Sequence, residues 1–573
     1  MRILVARERP SQLRRALLGA AVALALLAVW TLASVAWSGA PWRALVEFDR
    51  TLLYLLALSL FGSLGLTAAR GRWMVRGIAV AIGVVCLAAL LARLLPGLYP
   101  LTPRLGDYGL AYPVTYANAL GLLAVLGLLL CLHLTSDPEE RPLGSVLAAA
   151  AVPALAVTLL LTGSWGAALA GAVGLAVLLA AAVPRALGAA AVATLAPSAL
   201  ALLSAAGAGA LRGSEAGSAV AVGQGREVAV VVGLSVANAA LIRWLALRRS
   251  GSSPRSVRVV RGRTRALVAA GVVLAGGLAV AGGSLLGEGR AGPEASVVRP
   301  AGPESAARLD HWRVALGGFA ESPLLGGGAG TYELLSQRER SVRAAVRDAH
   351  SLPLELLAEL GAVGFALLAT AIVLVLRGLM AGLRTANRDL FAATLAVTAA
   401  WSVHAAIDWD WEMPVVTLPV FALCGAALGA LPAATDEGQD GPSSLPSAAG
   451  PRIGTAARPA VGAVLLAVVA LATVVGLSQV QLRGTVAATR AGDCRAAGAL
   501  ASELPTSLRP EPHAMVARCE LRRARASSGV DRRRHAERAI AALGAAARRD
   551  PGDSTYRGGI TRARRVAGSV AGR

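Results

Sequence analysis

Stretches of about 20 residues with almost no charge recur along this chain from residue 16 to residue 479. Each is long enough to cross a hydrocarbon core of roughly 30 Å. In lipid, every backbone N–H and C=O must be satisfied within its own segment, so a chain patterned this way is confined to membrane helices. Of its 573 residues, 55% are hydrophobic and only 16% charged, with a mean hydropathy of +0.60. That balance excludes an ordinary soluble multidomain protein. The expected fold is all-α: a polytopic membrane protein with one large extracytoplasmic loop and a small helical C-terminal domain. It has about 13 spans, near 16–36, 51–69, 74–95, 114–133, 145–162, 166–183, 186–206, 226–244, 266–287, 354–376, 389–407, 414–431 and 460–479.

Arginine sets the expected orientation. Arg2, Arg7, Arg9, Arg14 and Arg15 precede the first apolar run, and no small-residue cleavage site clearly follows it, so it reads as a retained span. With the N-terminus inside, Arg70, Arg72, the run Arg248, Arg249, Arg255, Arg258, Arg261, Arg263, Arg265, and then Arg377, Arg384 and Arg388 all fall on the cytoplasmic side. The resulting organisation is a membrane region over 1–287 and an extracytoplasmic loop over 288–353. Three more spans follow over 354–432, then a flexible inside linker over 433–459 rich in Pro, Gly, Ser and Ala. A last span over 460–479 leads to an outside tail over 480–573.

The net charge is +22, and every basic residue is an arginine. Codon bias explains an absence of lysine, while guanidinium groups also suit bidentate binding of phosphate. Nucleic acid is not an expected partner, because most of the charge flanks membrane spans. Cys86, Cys131 and Cys424 lie in apolar spans as small packing residues. Cys494 and Cys519 lie in the polar tail, where they either stay free or, in an oxidising compartment, form a disulfide.

The chemistry gathers in the large loop. In "ARLDHWRVALGGFAESPLLGGGAGTYELL", helical spacing puts Arg308, His311 or Trp312, Ala315 and Phe319 on one face. The glycine run that follows either is a flexible turn or leaves N–H groups free to meet an anion. Arg338, Arg340, Arg343 and Arg347 then crowd the approach to His350. On the outer side such charge is not needed for orientation and asks for an anionic partner such as a lipid phosphate. Ser351 and Pro353 fit a helix start, which places His350 at a helix N-terminus. That position and the arginines disfavour imidazolium, so a neutral His350 ready to accept a proton is expected. Glu355 and Glu359, one turn apart below it, are candidates to orient the base or bind a sugar hydroxyl. "DWDWE" (408–412) is where a divalent cation would be sought.

The ordered set Arg308-x-x-x-Trp312, "PLLGGGAGTY" and "AHSLPLELLAELGAVG" resembles the O-antigen ligase and polymerase family, over most of the membrane portion. "SVAWSGAPWRALVEFDRTLLYLL", "YPVTYANALGLL" and "HAAIDWDWEMP" support it. The resemblance implies a metal-independent, inverting transferase of the bacterial cytoplasmic membrane that uses no cofactor. It would move a glycan from an undecaprenyl pyrophosphate carrier to an acceptor hydroxyl at the outer face, on a glycan, lipid or protein. It implies His350 as general base and Arg308, before Trp312, as a pyrophosphate ligand. The residues themselves add Arg347, in the arginine-rich approach, and Arg226 as further pyrophosphate candidates, and Trp312 as a candidate beside the substrate. One departure stands out: "LTGSWGAALA" carries Trp165 where the family often has arginine, and Arg226 is the candidate substitute.

The tail segments "SLRPEPHAMVARCELRRAR" and "RRDPGDSTYRGGITRARR" resemble tetratricopeptide-type hairpins, with Pro510 and Pro551 in matching places. A basic bundle resting on anionic lipid is the alternative. The same loop serves a ligase or a polymerase. A flippase or transporter is disfavoured by the lack of internal symmetry, and a non-catalytic envelope scaffold is the remaining reading.

Overall fold

The computed structural model describes residues 12–65, 67–97, 110–181, 187–212, 218–249, 303–339, 346–385, 387–430 and 457–568. The expected span at 266–287, the arginines at 255–265, Arg340 and Arg343, and nearly all of the 433–459 linker lie outside these residues. Every regular element among the described residues is a helix: α1 (Gln12–Ala33), α2 (Pro41–Ser63), α3 (Ala68–Leu94), α4 (Ala117–Ser136), α5 (Pro142–Thr162), α6 (Trp165–Ala181), α7 (Leu187–Gly207), the short α8 (Gly209–Arg212) and α9 (Ala219–Arg249). The chain continues with α10 (Pro303–Glu321), α11 (Tyr332–Glu339), α12 (Leu352–Gly382), α13 (Arg388–Ala405) and α14 (Pro414–Leu428). It ends with α15 (Ala457–Arg490), α16 (Cys494–Ser502), α17 (Pro510–Ala526), α18 (Gly529–Arg549) and α19 (Ser554–Gly568).

Seven of these helices are long and apolar enough to cross a membrane, and they coincide with the expected spans at 16–36, 74–95, 114–133, 145–162, 186–206, 226–244 and 354–376. Two shorter apolar helices, Trp165–Ala181 and Pro414–Leu428, fall on the expected spans at 166–183 and 414–431. Helices α2, α13 and α15 stand at three further expected positions. Proline at the first turn starts α2, α5, α12, α14 and α17, where the missing N–H has no intrahelical partner anyway.

The core runs through the bundle axis. Helix α4, with Leu120, Leu122, Leu123 and Leu126 almost wholly buried, is its central post. Tyr54, Trp401, Trp411 and Phe421 form an aromatic group that ties α2, α13 and α14 together, with ring centres 4.7–6.0 Å apart. Chain direction sorts the connections into two layers. One holds the loops after α1, α5 and α13, the segment before α4, and the α10–α12 segment. The other holds the arginine pairs Arg72–Glu139 (2.8 Å) and Arg76–Glu140 (2.9 Å), and Arg388 bonded to the Ala181 carbonyl (3.0 Å).

Helix α12 is broken at Gly361 (φ +64°, ψ −167°). An added Cβ there would lie 2.2 Å from the Leu324 carbonyl oxygen, so only glycine fits. The break frees backbone groups that the segment 323–330 takes up. Gly327 N–H donates to the Ala358 carbonyl (2.9 Å), Gly328 N–H to the Glu359 carbonyl (2.8 Å), and Ala362 N–H to the Pro323 carbonyl (2.8 Å). Trp30 Nε1–H donates to the Leu360 carbonyl (3.1 Å). The glycine run is thus locked into a helix break.

The tail is a set of consecutive helical hairpins with buried alanines (Ala497, Ala501, Ala517, Ala539, Ala546, Ala563), and a Cys494–Cys519 disulfide joins α16 to α17. Its α18–α19 turn docks onto the α1–α2 connection. Gly552 N–H donates to the Gly39 carbonyl (3.1 Å), and Arg43 pairs with both Asp550 (3.3 Å) and Glu333 of α11 (2.8 Å).

Candidate active site

Helix α10 turns Asp310, His311, Val314, Ala315 and Gly318 inward, with Arg308 and Trp312 half-buried beside them. Val314 and Ala315 pack with Tyr332, Leu335, Ala349 and Ala358 in a small core that fixes α10, α11 and the start of α12 to one another. His350 sits in the turn before α12 with φ +50°, a left-handed conformation uncommon for a residue with a side chain. Asp348 stabilises this turn: its Oδ1 accepts the His350 backbone N–H at 3.1 Å and lies 2.6 Å from His350 Nδ1. Ser351 takes the N-cap position of α12 without a side-chain capping bond.

The expected push of His350 away from imidazolium is not the direction this geometry favours. Burial does oppose the imidazolium, as does the Arg308 charge. The contact and charge of Asp348, with Asp408 behind it, outweigh them and raise the His350 pKa above its ordinary value. Helix-terminus reasoning missed a carboxylate two residues away. With Nδ1 facing Asp348, Nε2 is the nitrogen left for a substrate.

Arg308 points from α10 to Asp408 (3.7 Å), a buried carboxylate. Asp408 also accepts from Tyr116 Oη (2.8 Å) and Asn118 Nδ2 (2.7 Å) at the start of α4, and the Tyr116 ring packs on Trp409. Three separated sequence motifs, at 112–123, 308–312 and 404–414, therefore meet at the Asp408 carboxylate. The "DWDWE" carboxylates do not converge as a cation site. Asp408 serves this cluster, Asp410 Oδ2 lies 2.5 Å from buried His404 Nδ1, and Glu412 stands 3.7 Å from Arg50. Burial, against the opposing charge of Arg50, raises Glu412 to about 7. Among the described residues no group of three metal-ligating side chains forms.

The remaining expected residues divide. Arg347 is largely exposed and lies 3.7 Å from Glu333, at the edge of the same layer. Trp312 is half-buried, its Nε1 enclosed without a hydrogen-bond partner. Glu355 accepts the Ala349 N–H (3.0 Å) and so braces the peptide next to His350. Glu359 is a structural clamp and not a free sugar ligand. Its two oxygens accept from Gly330 N–H and Tyr332 N–H, each at 2.8 Å. The glycine run is likewise no open anion cradle, because the N–H groups from Gly326 to Gly330 are all bonded within the protein. Arg226 is exposed on the second turn of α9, which packs on α3, α5 and α7, and no described hydrogen bond or ion pair joins it to the His350 group. Trp165 starts α6, and its neighbour Gly166 faces the His404 ring, where an added Cβ would lie 3.3 Å from Nε2.

Asp348 and the pairing of His404 with Asp410 were not read from the sequence, and His311 entered only as an alternative to Trp312 on one helix face. Asp348 did carry a signal, an Asp two positions before the histidine whose side chain can bond its backbone.

The family model for O-antigen ligase matches residues 216–369, a narrower stretch than the resemblance in the sequence. It takes in α9, α10, the glycine run, His350, Glu355, Glu359 and the break in α12, and stops before the tail. A search of curated proteins finds no match. The chain therefore carries a segment, residues 216–369, that is similar to the O-antigen ligase family, set in an all-helical fold with seven helices long and apolar enough to cross a membrane.

Proposed function

We propose that the protein transfers a glycan from undecaprenyl pyrophosphate to an acceptor hydroxyl at the outer face of the bacterial cytoplasmic membrane, without a metal or other cofactor and with inversion at the anomeric carbon. The observation that carries this reading is the approach of Arg308 and the Asp348–His350 pair within one layer, each held by buried partners. His350 Nε2 takes the acceptor proton as the new C–O bond forms, a step that needs a base working near neutrality. The glycosyl C–O bond breaks on the opposite side, and its electron pair leaves with the pyrophosphate. Arg308, oriented by Asp408, meets that charge, and Arg347 lies exposed at the rim to join it. Arg226 remains the candidate for an outer phosphate, and Trp312 for the sugar. Membrane lipid surrounds the donor's chain, and the acceptor is a glycan, lipid or protein.

The orientation that fits is N-terminus inside and tail outside. The Cys494–Cys519 disulfide supports it, since such bonds persist in oxidising compartments. Docking of the tail beside the site supports a role for it in receiving the acceptor.

The test is made in cells. A strain lacking this protein should accumulate its lipid-linked glycan and lack the finished one. Wild type should restore the finished glycan, while His350→Ala and Arg308→Ala, present at normal levels, should not. Full restoration by both variants would refute the catalytic reading and leave a scaffold. A ladder of product sizes would mark a polymerase, and a single addition a ligase.

A further inference from the structure

Helix α10 brings a second imidazole to the site. His311 stands one turn after Arg308, and its ring centre lies 5.3 Å from that of His350, with the planes inclined by 42°. It is 6% exposed, and its Nδ1 is wholly enclosed with no hydrogen-bond partner. Polar atoms buried in a core normally find partners, so an enclosed ring nitrogen without one beside a candidate base calls for a ligand or a role. The helix that carries it is anchored: the His311 carbonyl accepts the Tyr332 hydroxyl at 2.9 Å, and Val314 and Ala315 of the same helix are buried in the small core with Tyr332.

We propose that His311 is a second residue of the reaction centre, donating a ring N–H to the acceptor hydroxyl and so orienting it toward His350. The inference rests on the glycan-transfer reading above. In the step, the acceptor proton passes to His350 Nε2, the acceptor oxygen bonds the anomeric carbon, and the electron pair of the broken C–O bond leaves with pyrophosphate. His311 neither gains nor loses a proton. The groups around it are Arg308 and Asp310 on its own helix, and Asp348 and His350 on the turn before α12. Burial and the neighbouring His350 lower the His311 pKa, against the two aspartates, whereas that of His350 is raised. Two imidazoles pushed apart in this way can divide the work, one uncharged donor and one proton acceptor.

The test uses the full-length protein in lipid nanodiscs. The donor is the lipid-linked glycan fraction, and the acceptor the membrane acceptor fraction, both extracted from the producing strain. His311→Phe keeps the packing and removes both nitrogens. Its turnover should fall about 100-fold or more, with retention of labelled donor unchanged. Of His311→Asn and His311→Gln, the one whose amide N–H replaces the donating nitrogen should regain at least part of that loss. A folded His311→Phe turning over within about threefold of wild type would overturn the inference while the transfer reading stands. No transfer by wild type would overturn both. Where His311→Phe does not fold, the amide pair decides: equal loss in both folded variants overturns the inference, and recovery in one upholds it.

Discussion

Asp348 Oδ1 lies 2.6 Å from His350 Nδ1 and at the same time accepts the His350 backbone N–H at 3.1 Å. One carboxylate therefore bonds the left-handed backbone of the base and lies against its ring. Because His350 is raised above its ordinary value, kcat/KM should climb as pH rises through a point above about 6.5. Asp348→Asn leaves burial and Arg308, both of which lower the pKa. The acid limb should then move to lower pH, with a lower plateau because the carboxylate beside Nδ1 is gone. A limb that stays in place or moves up would contradict this pairing.

Glu359 bonds two backbone N–H groups of the segment that follows the glycine run. In Glu359→Gln one amide NH2 would face an N–H donor, and a buried group left unsatisfied costs about 1–3 kcal/mol. The variant should melt several degrees below wild type and transfer poorly, with His350 chemically intact. Thermal unfolding in detergent reads the first effect, and unchanged melting would show that Glu359 is not a clamp.

Two glycines make a matched comparison. Gly361→Ala places a Cβ 2.2 Å from the Leu324 carbonyl at a positive φ, and should yield no folded protein. Gly77→Ala, in α3 with nothing within 4 Å of the added Cβ, should be neutral or stabilise by up to about 1 kcal/mol. Size-exclusion profiles of the two variants decide this, and a monodisperse Gly361→Ala would argue against the helix break.

The Cys494–Cys519 bond closes a loop with a sequence separation of 25 residues. Cys494→Ser should destabilise the tail by about 3 kcal/mol. In unreduced cells, thiol-reactive labels should miss both tail cysteines until a reductant is added. Free thiols in vivo would place the tail in the cytoplasm and reverse the orientation.

The apolar runs made the fold class legible, because span length is a direct consequence of bilayer thickness. His350 and Arg308 were legible through their ordered motifs, and a possible disulfide through its two polar-region cysteines. The partners of these residues were not. Asp408 reaches Arg308 from exactly one hundred positions away, and nothing local in either segment encodes that contact. The glycine run read as an open turn because its N–H groups had no visible acceptors. The acceptors come from a helix break that only the folded chain creates. Glu359 looked like a substrate ligand for the same reason. The direction in which the histidine's pKa moves was misread because helix-terminus and arginine effects were weighed without the adjacent Asp348.

The most direct measurement is glycan transfer by the purified protein in lipid, given an undecaprenyl pyrophosphate-linked glycan and an acceptor fraction, with wild type beside His350→Ala and Arg308→Ala. The account predicts transfer by wild type and a loss of about 100-fold or more in each variant, with melting behaviour retained. Wild-type transfer that survives in folded His350→Ala would contradict the central claim, because the base would then lie elsewhere.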